Sequence, residues 1–257
     1  MGIVNVTPDS FFDGGQHNSL QQALELASDM VKSGVDIIDV GGYSSRPGAE
    51  DISIEEEIKR TQHVIKEMRE RFPQLLISID TFRSEVAQKA IEAGADMIND
   101  ISGGAIDPQI LAVAAQCKVP YILMHMKGTP QTMREQASYE NLVGDILDYF
   151  TTRIALARKA GVTDIIIDPG FGFAKTMDQN YELLRKLDVF KILNVPVLVG
   201  VSRKSMIYKI LDNTAAEALN GTTVLNAIAL MNRINILRVH DVKEARETIT
   251  LVKRVLN

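Results

Sequence analysis

The sequence predicts an α/β fold: a single (β/α)8 TIM barrel spanning residues 1–257, with its active site at the C-terminal ends of the strands. Two observations carry this. Strand-length apolar runs alternate with helical patterns eight times over. A short polar peptide follows each run, and only a closed ring of parallel strands gathers eight distant strand ends onto one face. An open, doubly wound sheet shows the same alternation and is the alternative.

The expected strands are Ile3–Val6, Val35–Val40, Leu75–Ile79, Ala95–Ile98, Val119–Met124, Thr163–Ile167, Val195–Val199 and Asn235–Val239. Most are continuously apolar, as strands covered on both faces must be. Helical stripes fill the gaps: Leu20, Ala23, Leu24, Ala27 and Val31 after the first strand; Ile54, Ile58, Thr61, Ile65 and Met68 after the second; Leu142, Ile146, Tyr149 and Ile154 after the fifth; Val242, Ala245, Ile249 and Val252 after the eighth. Ser19 with Gln22 and Ser53 with Glu56 have capping-box spacing. Gly34, Gly94 and Gly161 stand where helices should end. Residues 7–18, 41–52 and 127–137 make loops long for this architecture, and on the catalytic face such loops are lid candidates.

The length of 257 residues matches one barrel of about 250, and no linker or low-complexity tract divides it. The net charge of −5 and pI near 5.5 argue against non-specific nucleic-acid or membrane binding. An anionic substrate must therefore find a local basic patch. One cysteine, Cys117, excludes an intramolecular disulfide and fits a reducing compartment; it reads as a buried structural thiol. No apolar run of membrane-spanning length and no basic-then-apolar leader occur, so a cytoplasmic location is expected. The chain opens directly on a strand, and a natural N-terminal stretch is expected to have preceded it.

Asp80, Asn99 and Asp168 each follow an apolar run and should sit at the barrel mouth. They either cap loops and pair with nearby cations, or together face a planar ligand rich in N–H donors. The segment Gly200-Val201-Ser202-Arg203-Lys204-Ser205 leads from strand seven toward a helix start, in the usual phosphate region of a barrel. Arg203 offers a bidentate fork there and Lys204 a point charge. Arg238 and His240 alternate on strand eight and point one way. Arg238 reads either as an ion-pair member or, the favoured reading, as a phosphate clamp. Asn5, on adjacent strand one, offers an oxygen suited to Mg2+. No acidic cluster or His pair has the spacing of a tightly held metal, so Mg2+ should arrive with phosphates. His125 reads as a supporting residue, and His63 as a solvated one. Gly170 and Gly172 lack the spacing of a dinucleotide fingerprint.

Together these peptides resemble the dihydropteroate synthase family over essentially the whole chain. They are Gly2–Phe11 (GIVNVTPDSF), Ser45–Gly48 (SRPG), Asn99–Gly104 (NDISGG), Met124–Pro130 (MHMKGTP), Asp168–Phe173 (DPGFGF), Ser202–Ser205 (SRKS) and Arg238–Asp241 (RVHD). The resemblance implies a TIM barrel that condenses 6-hydroxymethyl-7,8-dihydropterin pyrophosphate with p-aminobenzoate, releasing 7,8-dihydropteroate and pyrophosphate, with sulfonamides as competitors. By the same resemblance Asp80, Asn99, Asp168 and Lys204 hold the pterin, and Ile101, Met124 and Phe173 line its pocket. Asn5, Arg238 and His240 hold pyrophosphate, with Asn5 on Mg2+. Phe11, Ser45, Pro47, Ser202 and Arg203 form the p-aminobenzoate site. Asp13, Arg46 and Lys204 act at the reacting centre, and the enzyme pairs as a homodimer. The implied chemistry is a dissociative displacement that needs no protein nucleophile.

Two features depart from the family pattern. Tyr43 stands where the family often has Glu, and Ser45 where it often has Thr. A folate-dependent methyltransferase barrel and a non-catalytic relative are the competing readings. The first would not need the Asn5–Asp9 loop, Ser45-Arg46-Pro47 and Lys204 together. The second should have lost Asp80, Lys204 or Arg238.

Overall fold

The computed structural model describes residues 1–6, 16–44 and 51–257. Eight parallel strands run β1 Gly2–Asn5, β2 Ile37–Gly41, β3 Leu76–Asp80, β4 Met97–Asp100, β5 Tyr121–Met124, β6 Ile165–Asp168, β7 Leu198–Val199 and β8 Ile236–Leu237. The first six form one sheet in sequence order, and β7 pairs with β8. Two parallel bridges, Ile167 with Val197 and Gly2 with Val239, join these pieces into a ring. At the second seam the Ile3 N–H donates to the Val239 carbonyl at 3.0 Å, and the Val239 N–H to the Met1 carbonyl at 2.9 Å. The closed barrel is the expected fold, and the open sheet is excluded.

Alternation along the strands divides the core in two. Val4, Ile38, Val40, Ile77, Ile79, Ile98, Leu123 and Ile167 point outward into the large cluster shared with the helices. The opposite set points inward, and its lower layer is apolar: Met1, Ile37, Met97, Ile122 and Leu198, with Ile166 and Ile236 beside them. Two residues further along the same strands come Asp39, Asn99, Met124, Asp168, Gly200 and Arg238. The barrel thus passes from an apolar floor to a polar mouth within one strand step of about 7 Å.

Nine α-helices are present among the described residues: α1 Gln16–Lys32, α2 Ile54–Arg71, α3 Ser84–Glu92, α4 Gln109–Cys117, α5 Leu142–Ala160, α6 Met177–Arg185, α7 Ser205–Tyr208, α8 Leu219–Met231 and α9 Val242–Leu256. Ser53 caps α2 as expected, its hydroxyl accepting from the Glu56 N–H at 3.2 Å. Gly34, Gly94 and Gly161 take the left-handed backbone that ends a helix, with φ of 82°, 114° and 101°. The expected cap at Ser19 is wrong. Helix α1 begins three residues earlier, at Gln16, so Ser19 lies inside it. A complete capping box instead opens α6, between Thr176 and Gln179. The loop at 127–137 contains a short 3-10 helix, Met133–Gln136.

Candidate active site

The strand register brings the expected pterin residues together in pairs. Asp80 is the pairing partner of Asn99, and Met124 that of Asp168. Asn99 and Asp168 are buried, and Asp80 is nearly so. Burial pushes the Asp80 carboxyl up to about 7; the Arg238 charge opposes this, while Asp39 adds to it. Burial raises Asp168 too, opposed by Lys204. Ile101, Met124 and Phe173 meet in one apolar cluster with Phe82, Met126, Met133 and Ala174, so the three expected pocket residues do come together.

Asp39 is one residue that sequence reasoning missed. It is fully buried on β2, and its Oδ2 accepts from Arg238 Nε at 2.7 Å and from Asn99 Nδ2 at 2.9 Å. One oxygen thereby fixes groups from β4 and β8. The signal was present: a carboxylate inside the apolar run Ile37–Val40, two residues below the strand end and so on the inner face.

Arg238 corrects an expectation. Its Nε is bound to Asp39, and its Nη2 to Asp80 Oδ2 at 2.7 Å. It is first an ion-pair member, the reading placed second from sequence; Nη1 takes part in neither bond. Arg203 needs a similar correction. Its fork is spent on Asp241, with Nε at 2.9 Å and Nη2 at 2.6 Å, so it is not a free bidentate anion donor. The helix that follows, α7, is a single turn of four residues, too short to lend an anion much dipole.

Lys204 sits centrally. Its Nζ donates to the Phe171 carbonyl and lies 4.9 Å from the centre of the Phe173 ring. Burial lowers its pKa to about 8, with Asp168 acting against that and Arg238 reinforcing it. Ser202 is buried; its hydroxyl pairs with His240 Nδ1 at 3.0 Å and accepts from the His240 backbone N–H at 3.2 Å. Asn5 is half-buried at the end of β1, its side-chain Oδ1 close to bare Gly41.

The Asp168–Phe173 turn is held at several points. The Gly170 N–H donates to Asp168 Oδ1 at 2.8 Å, and the Gly172 N–H to Asn180 Oδ1 at 2.7 Å. Gly170 turns with φ of 71°, and a Cβ there would meet the His125 carbonyl oxygen at 2.1 Å. On β4, the buried Asp100 accepts from the Ser102 and Gly104 N–H groups, both at 2.7 Å, and from the Tyr121 hydroxyl at 2.5 Å, which shapes the turn that carries Ile101.

Lys127 Nζ donates to the Ser138 carbonyl at 2.7 Å and stands 3.8 Å from the Tyr139 ring centre, bracing the third loop. His125 is buried, with its Nδ1 3.0 Å from Lys175 Nζ. Tyr43, the departure from the family pattern, packs edge-on against Phe82 at 5.1 Å and accepts from Gln131 Nε2 at 2.8 Å. His63 is exposed as expected, whereas Cys117 is only half-buried. Phe11, Asp13, Ser45, Arg46 and Pro47 lie outside the described residues.

Comparison with known proteins agrees with this geometry. The family model described as "Pterin binding enzyme" matches residues 1–240. A dihydropteroate synthase of Synechocystis is 52% identical over 246 residues, 95% of this chain and 85% of its own length. The Yersinia pestis dihydropteroate synthase solved with a sulfonamide drug superposes with a TM-score of 0.94 at 41% identity, covering 100% of this chain and 93% of that one. The Xanthomonas albilineans dihydropteroate synthase solved with 4-aminobenzoic acid superposes with a TM-score of 0.93 at 37% identity, covering 100% and 92%. A barrel mouth with two carboxylates, an amide and a lysine from β3, β4, β6 and the loop after β7, and a family match over nearly its full length, lead to one conclusion: the chain belongs to the pterin-binding enzyme family.

Proposed function

We infer that this chain is a dihydropteroate synthase. It joins 6-hydroxymethyl-7,8-dihydropterin pyrophosphate to p-aminobenzoate, giving 7,8-dihydropteroate and pyrophosphate, and sulfonamides compete for the amine site. The observation that carries the reading is the set Asp80, Asn99, Asp168 and Lys204 gathered at the mouth, beside an apolar wall of Ile101, Met124 and Phe173.

The residue roles follow from the chemistry. Asp80 and Asp168 accept from ring and amino N–H groups of the pterin, and Asn99 both donates and accepts. When the C–O bond to pyrophosphate breaks, positive charge spreads from the methylene into the ring. The two carboxylates stabilise that charge in a site shielded from water. The neutral aromatic amine then attacks and loses its proton, so no protein nucleophile is required. The leaving group is received by His240, Asn5 and the remaining face of Arg238, while Asp39 holds Arg238 in place. Ser202, fixed by His240, faces the amine site; Arg203 supports it through Asp241.

For Mg2+ the donor set fits an ion that travels with pyrophosphate. Among the described residues no group of three or more His, Cys, Asp or Glu could cage a metal, and Asn5 offers one neutral oxygen. Held by Asn5 and the phosphates, Mg2+ would offset charge on the leaving group. Phe11, Asp13, Ser45, Arg46 and Pro47 complete the reading as loop contributions to the amine site and the reacting centre.

A homodimer is supported by an apolar face on neighbouring helices: Val224, Ile228 and Met231 of α8, and Leu251 and Val255 of α9, are all exposed. A cytoplasmic location is supported by the composition, and no described helix is long and apolar enough to cross a membrane.

Purified protein given the pterin pyrophosphate and Mg2+ should release pyrophosphate only when p-aminobenzoate is added, and EDTA should abolish release. Release independent of the amine would overturn the reading. Light scattering should give twice the chain mass of 28.4 kDa.

A further inference from the structure

We propose that Lys175 is a positioning residue for the pterin subsite: its ammonium holds the Asp168–Phe173 turn in binding shape. The proposal rests on the assignment of Asp168 and Phe173 to that subsite.

Lys175 Nζ lies 3.0 Å from His125 Nδ1, 3.0 Å from the Gly170 carbonyl and 3.1 Å from the Phe173 carbonyl. Burial lowers the Lys175 pKa to about 7, with the Asp168 charge acting against that, and in the ammonium form its three hydrogens meet these three acceptors. His125 must then be neutral, with its proton on Nε2 and its Nδ1 lone pair toward the lysine. Burial first, and the Lys175 and Lys127 charges next, drive its pKa down to about 2, which keeps that lone pair available. His125 in turn is set by Tyr149, whose ring meets it edge-on at 4.8 Å. The lysine thus ties the end of β5 to both ends of the turn after β6.

Within the turn the Phe173 N–H donates to the Gly170 carbonyl at 3.1 Å, and side chains satisfy further backbone groups. Two lysines do so from different points, Lys204 at the Phe171 carbonyl and Lys175 at the carbonyls on either side. Their duties differ. Lys204 also faces the pterin, and a bound pterin draws on its charge. Lys175 has its three partners within the protein. During turnover the turn therefore depends on Lys175. If it relaxes, the Phe173 ring and the Asp168 carboxylate move together, and the pterin loses an apolar wall and a hydrogen-bond acceptor at once.

Steady-state kinetics with each substrate varied separately test this. Lys175→Met should raise KM for the pterin pyrophosphate about tenfold, with kcat and the KM for p-aminobenzoate changed by less than about threefold. Lys175→Arg, which keeps the charge and donors, should recover at least about a third of the loss. Should Lys175→Met fail to fold, His125→Leu and His125→Asn read the same network. The leucine removes the acceptor and should raise pterin KM about threefold, and the asparagine, whose Oδ1 can replace Nδ1, should restore it. An unchanged pterin KM, an equal rise in both KM values, or no recovery with arginine or asparagine would overturn the proposal. Asp168→Asn separates the two levels: if it leaves pterin KM unchanged, the subsite assignment itself has failed, whereas a rise there without one in the Lys175 variants refutes only the role of Lys175.

Discussion

The floor and the mouth of this barrel are made by the same strands and the same inward alternation, yet they are built on opposite principles. The floor residues Met1, Ile37, Met97, Ile122 and Leu198 are interchangeable in kind: each contributes burial, and none has a specific partner. Two residues above, the polar side chains are bound to particular atoms. Asp39 meets Arg238 and Asn99, and Arg238 meets Asp80. Apolar packing tolerates swaps of similar volume, usually at under about 1.5 kcal/mol. A buried charge network does not, because removing one member leaves another unpaired in low dielectric. A single strand thereby carries a forgiving segment and an unforgiving one.

Substitutions can break this contrast. The largest effect is expected from Arg238→Met, which strands both Asp39 and Asp80 and should cost about 3–5 kcal/mol of stability by urea unfolding. The carboxylates should then take up protons, so the loss should shrink at acidic pH. A cost under about 1 kcal/mol would mean that the mouth is as forgiving as the floor. Next, Ile122→Ala on the floor should cost about 2–5 kcal/mol through transfer and cavity terms while leaving kcat/KM at 25 °C within about twofold. A large kinetic defect there would show that the two layers are mechanically one.

The smallest effect sharpens the contrast through pH, which should act on the mouth alone. Lys204 is charged below about 8 and neutral above it. As pH rises through that value, kcat/KM for the pterin pyrophosphate should fall toward a tenfold loss per pH unit. Asp80 is raised, so protonation should impose an acidic limb below about 7. Replacing Lys204 with Arg should push the alkaline limb out of range, and an unmoved limb would assign it to another group.

Much of this was legible because barrel chemistry collects at strand ends. Asp80, Asn99, Asp168 and the Ser202–Ser205 segment each follow an apolar run, and that local pattern needs no knowledge of what lies across the ring. Pairings were not legible. Arg238 finds Asp39 at a separation of 199 residues and Asp80 at 158, and Arg203 finds Asp241 at 38; no local pattern encodes such meetings. The same reason explains the misjudged duties of both arginines. Their residue type announced a charge, and only the closed ring determined what neutralises it. Lys175 was missed differently. It stands just past a motif whose glycines and phenylalanines dominate the reading, and two of its three acceptors are backbone carbonyls, which carry no residue-type signal. At Ser19 a capping pattern of side chains lost to a helix start three residues upstream.

Gly170 has a consequence for how this protein can change over generations. Its left-handed backbone and the His125 carbonyl, which would touch any Cβ, close the position to every side chain unless the end of β5 moves as well. A lineage under selection by a pterin-like inhibitor therefore has no one-step escape at this point on the mouth. Its accessible routes run through positions with room for a side chain, and the turn after β6 is an evolutionary fixed point around which they must be organised.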